Sequence, residues 1–109
     1  MMRIFYANTE VLTGDAIALA VLHYSEALGE SGLAETIEIP IQELDGSRGT
    51  AILLVGPASQ IVATRTTTEF GELEDTDTVD DLRVKTQRLR PLIHTDAEPP
   101  ERIPWAEDL

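Results

Sequence analysis

Three groups of side chains have types and spacings that could do chemistry. The first is Ser59, within Gly56-Pro57-Ala58-Ser59-Gln60, a short stretch set between the apolar runs 51–55 and 61–63. A serine on a tight loop after a buried strand can act as a nucleophile, but that geometry needs G-x-S-x-G leading from a strand into a helix. Here the preceding glycine is one residue too far away and no glycine follows in place. The next segment, 61–67, is again rich in Val and Thr. The spacing predicts a turn that reverses the chain between two strands, with Ser59 as a turn residue.

The second group is His23, Glu26 and Glu30, spaced by three and four so that one helix side carries all of them. Together with Tyr24 they are the natural polar groups of a small-molecule site, or of an enzyme site, near a subunit boundary. A metal reading is weaker, because strong metal signatures pair two histidines or draw ligands from two elements. A solvated helix face is the expectation, with no metal and no cofactor. The third group, His94-Thr95-Asp96-Ala97-Glu98, lies in a segment rich in proline. A general base needs a rigid, partly buried setting, which such a segment does not supply. Thr13-Gly14-Asp15 has one glycine and no lysine, too little for a phosphate loop. No catalytic residue is assigned.

Interaction chemistry is better represented. Glu69, Glu72, Glu74, Asp75, Asp77, Asp80 and Asp81 place seven carboxylates in thirteen positions. Such a cluster creates a local negative field that steers a basic protein partner, and Glu72, Glu74, Asp75 and Asp77 are its candidate contacts. Trp105, in Ile103-Pro104-Trp105, is a second candidate, since a lone tryptophan in a tail anchors it to its own domain or to a partner. Over the whole chain twenty acids oppose eight bases, a formal charge of −12. That balance disfavours nucleic acid and anionic membrane surfaces alike. No apolar run approaches the ~20 residues that cross a bilayer. Cysteine is absent, which removes disulfides and thiolate sites, and a cytoplasmic protein is expected.

The elements that must position these groups can be read from periodicity. Residues 2–7 form a first strand and Asn8-Thr9-Glu10 a turn. Thr13 then caps a helix running to about Glu30, with Gly29 and Gly32 as stop signals. Ile17, Ala20, Val21, Tyr24, Ala27 and Leu28 make its apolar stripe, while Leu19 and Leu22 lie off that stripe and call for a second neighbour. Residues 35–41 alternate strictly, with Ile37, Ile39 and Ile41 facing in, and Pro40 places this strand at an edge or near its own end. Asp45-Gly46 marks a hairpin loop. Residues 50–55 are apolar on both faces, the mark of a covered central strand. After the third strand and the acidic stretch, Thr78 caps a second helix with Asp81 in the capping-box position, and Pro91 ends it.

The resulting fold class is α+β, a two-layer sandwich of β-α-β-β-β-α order. It has an antiparallel three-strand meander, a short N-terminal strand and a Pro-rich C-terminal tail. Residues 1–91 form one domain and 92–109 the extended tail. In layout, residues 13–90 are similar to double-stranded RNA-binding domains. Those domains begin their second helix with lysines, where this chain has Asp77, Asp80 and Asp81, so the resemblance implies shared geometry without the RNA ligand. With Ile52 and Leu54 facing the helices, Ala51, Leu53 and Val55 face the other way, joined by Phe5 or Val62. A bare patch of that kind is seldom left on a monomer. A homodimer partner or the chain's own tail would cover it. The expected function is a protein-binding or regulatory module acting as a homodimer.

Overall fold

The computed structural model of the chain describes residues 1–90. Its elements are β1 (Met2–Tyr6), β2 (Thr9–Thr13), α1 (Asp15–Ser31), β3 (Glu35–Gln42), β4 (Arg48–Val55), β5 (Ile61–Arg65) and α2 (Thr76–Leu89). Five antiparallel strands form one sheet in the order β4-β3-β2-β1-β5, and both helices contribute buried side chains to one core with it. The α+β class and the β-α-β-β-β-α order stand, with one strand added ahead of α1. The tail, 92–109, lies outside the described residues.

The added strand is β2. The pair Tyr6↔Thr9 closes a two-residue hairpin at Ala7-Asn8, so the segment read as a turn is the start of a strand. Ala7 takes the left-handed conformation, φ 55°, in a turn where glycine and asparagine are preferred. The missing glycine explains why the sequence concealed this hairpin. Thr13 consequently ends β2 instead of capping α1, and its hydroxyl donates to the Pro40 carbonyl at 2.8 Å. Gly14 is the N-cap, with no side chain to offer. Glu72 supplies the missing acceptor, its Oε2 lying 2.5 Å from the Asp15 N–H.

The meander is only half present. β3 and β4 pair over their full lengths through the loop at Asp45-Gly46, whereas β4 and β5 occupy opposite edges of the sheet and β5 pairs with β1. β4 is therefore an edge strand and not a central one. β3 is interior, and Pro40 acts on its inner side. Its carbonyl points towards β2, where it accepts from Thr13, so the N–H that proline lacks is missing from that same side. The β2–β3 register is a single pair, Leu12↔Gln42.

The phase of β4 is opposite to the expectation. Leu53 and Val55 are 4% and 0% exposed and join the core, while Ile52 and Leu54 are 64% and 57% exposed on the outer face. A strand apolar on both sides carries no periodicity that chooses between them. Pairing decides it: Ile37↔Leu53 and Ile39↔Ala51 put those residues on the face that β3 already turns inward. Antiparallel partners directly opposite share a face.

The predicted stripe of α1 is buried in full, from Ile17 to Leu28. Burying an Ile or Val side chain such as Ile4, Ile17, Val21 or Ile39 contributes about 1.5–3 kcal/mol each before entropy is counted. Gly32, at φ 69°, ends α1 with Leu33 N–H donating to the Leu28 carbonyl at 2.9 Å, the left-handed cap that glycine favours. α2 starts earlier than expected. Asp75 is its N-cap, accepting from Thr78 N–H at 3.1 Å, so Thr78 lies inside the first turn.

Candidate functional site

Ser59 is a turn residue, as its spacing predicts. Its N–H donates to the Gly56 carbonyl at 3.1 Å, and its hydroxyl accepts from Gly56 N–H while donating to the Leu54 carbonyl, both at 3.1 Å. The hydroxyl is thus committed twice to the main chain. The loop joins the two sheet edges and does not close a hairpin. Tyr6 also donates to the Leu54 carbonyl, drawing the end of β4 towards β1. A shallow pocket of about 420 Å³ lies here, lined by Tyr6, Ala34, Val55 and the loop. Among the described residues no imidazole or carboxylate lines it, and such a group is what activates a serine; His94 lies outside the described residues.

His23, Tyr24, Glu26 and Glu30 do not form one site. Tyr24 faces the sheet, buried, and its hydroxyl donates to Glu35 at the start of β3. Lys85 of α2 completes that cluster, with Nζ 3.3 Å from the second Glu35 oxygen. The hydrogen bond from Tyr24, then the Lys85 ammonium, hold the Glu35 carboxyl below its usual range. Burial first, and the Glu35 contact second, push the Tyr24 phenol up to about 12. Glu26 and Glu30 turn instead to Arg90 at the end of α2, at 3.6 and 2.9 Å. Three acids or imidazoles in metal-binding proximity are absent among the described residues.

What His23 and Glu26 do share is a groove of about 560 Å³ between α1 and α2. Leu19 and Ala20 line it from α1, and Arg83, Gln87 and Arg90 from α2. Leu19 faces this groove and stays 37% exposed, so α2 does not supply the covering neighbour that its place off the stripe calls for. Sequence reading missed Arg83 and Gln87, because nothing in their spacing ties them to a helix sixty residues earlier.

The acidic stretch divides by role. Glu72 accepts from the Met1 ammonium at 2.8 Å as well as from Asp15 N–H. Asp75 caps α2 and lies 3.7 Å from Arg48. The Glu74 carbonyl accepts from Arg48, but its carboxylate and that of Asp77 are exposed without an ion pair among the described residues. Trp105 falls outside the described residues.

No relative is found. The chain matches no family model, no curated protein and no solved structure. The expected shared geometry with double-stranded RNA-binding domains reduces to element order, because the three strands after α1 do not form a meander and β5 pairs with β1. The surface feature that stands out is the outer face of the sheet, which neither helix covers. It carries Ile52 and Leu54 on β4, with Val62 and Phe5 paired across β5 and β1 and exposed by 58% and 37%. No helix among the described residues is long and apolar enough to cross a membrane.

Proposed function

We propose that this chain is a small protein-binding or regulatory module that acts as a homodimer through the outer face of its sheet. One observation carries the reading: Ile52, Leu54 and Val62 each leave more than half of their surface in water on the face opposite the helices. Ile52 and Leu54 form an apolar pair at the β4 edge, and Val62 stands beside Phe5 at the opposite edge, with Thr36, Glu38 and Glu10 between them. Exposed apolar side chains of this size mark interaction surfaces. A self-complementary, two-fold contact is the commonest way to cover one, and a stable interface buries about 800 Å² on each partner. The exposed carboxylates of Glu74 and Asp77, without an ion pair among the described residues, favour a basic protein as a further partner.

Sedimentation velocity from micromolar to submillimolar concentration tests this. The intact chain should sediment as a dimer, and Ile52→Glu combined with Leu54→Glu should yield a monomer with an unchanged circular dichroism spectrum. A chain that is monomeric throughout that range overturns the homodimer.

A further inference from the structure

In a chain whose acids outnumber its bases by twenty to eight, each cation is expected to find a carboxylate. Arg3, Arg48, Arg65, Lys85 and Arg90 all do. Arg83 and Arg88 do not among the described residues, and of the two only Arg83 lines the groove between α1 and α2. Arg90, at the end of the same groove, is engaged by Glu26 and Glu30, yet its Nε is buried without a hydrogen-bond partner. The Thr86 hydroxyl is spent on the Leu82 carbonyl at 2.7 Å. The donors left at the rim are the Arg83 guanidinium, the Gln87 amide and His23, above a floor of Leu19 and Ala20.

We infer that this groove binds a small organic monocarboxylate with an apolar body, of the class of short-chain fatty acids. The Arg83 fork matches a carboxylate's two oxygens, and Leu19 and Ala20 take the hydrocarbon. Of the two cations that line the groove, Arg90 is paired with Glu26 and Glu30 and Arg83 is not, which suits a single negative charge and would leave a dianion half paired. A volume of about 560 Å³ lies within the range of small-molecule sites. The site is on the helical side, away from the sheet face proposed for dimerisation, and the two proposals stand or fall separately.

Amide NMR titration of the full chain with sodium hexanoate, 1-hexanol and hexylammonium tests it, because the three probes share one apolar body. Saturable shifts should be confined to residues 16–26 and 83–90, with hexanoate at least about tenfold tighter than either control. Arg83→Gln, at an exposed helical position, should lower hexanoate to the affinity of hexanol. Ala16→Trp, which fills the groove from its exposed wall, should abolish binding of both. Equal affinities for hexanoate and hexanol, shifts centred elsewhere, or an unchanged Arg83→Gln variant overturns the inference.

Discussion

Tyr24→Phe removes one oxygen and leaves a buried ring in place, so it isolates the contact that ties α1 to β3. The Tyr24 hydroxyl donates to Glu35 Oε1, and Lys85 Nζ stands 3.3 Å from Oε2. A hydrogen bond to a charged group contributes about 1.5–3 kcal/mol. The Glu35 side chain keeps 38% of its surface, so water repays part of the loss, and about 1–2 kcal/mol is expected. For a domain of this size that lowers the melting temperature by about 4–12 °C. Urea denaturation should show a lower midpoint with an unchanged m-value, since neither state changes its exposed surface appreciably.

The pH dependence sharpens the test. The folded phenol holds its proton up to about 12, above the ordinary 10.0. Its stabilisation is therefore whole below pH 10 and is lost as the pH rises towards the folded value. Glu35 runs the other way: lowered from 4.5, it contributes fully above that value and fades as the pH falls through the folded one. Tyr24→Phe should flatten the alkaline limb and weaken the acid limb. Carbon-13 NMR of labelled tyrosine reads the phenol directly. An unchanged urea midpoint in the variant, or a Tyr24 phenolate that forms near pH 10, refutes this account.

Three further perturbations probe the frame. Gly14→Ala would drive its Cβ into the Leu73 carbonyl oxygen, which is main chain and slow to yield; unfolding experiments should show a loss of about 3 kcal/mol. Ser59→Ala leaves Gly56 N–H and the Leu54 carbonyl without their shared partner, costing about 1 kcal/mol in chemical denaturation. The Met1 ammonium is raised above 8.0 by hydrogen bonds first to Glu72 and then to Asp15. Its contribution should be complete below pH 8 and decline as the pH climbs through the folded value, and acetylating that amine should remove the decline from a stability-against-pH curve.

Much of the fold was legible where one periodicity dominated. The α1 stripe and the alternation of β3 needed no tertiary information, because each has one wet face and one dry face. Reading failed where a pattern was symmetric or a signal absent. β4 is apolar on both sides, so only its pairing with β3 could set its phase, and edge or centre could not be told apart. β2 was hidden behind a turn made with Ala7 instead of glycine. The site was harder still. His23 was visible as a candidate, but its true neighbours, Arg83 and Gln87, are brought to it only by the packing of α2 on α1. Tyr24 looked like a companion of His23 because they are adjacent, yet consecutive helical residues point about 100° apart, and one entered the core while the other met the groove.

The scant pairing between β2 and β3 also bears on how the molecule holds its shape. Main-chain bonding divides it into two leaves, one of three strands and one of two, tacked together at Leu12 and Gln42. Beyond the side-chain bonds from Thr13 to Pro40 and from Tyr6 to Leu54, what joins these leaves is the core they share with the two helices, so loosening α2 should weaken that seam before either ladder comes undone.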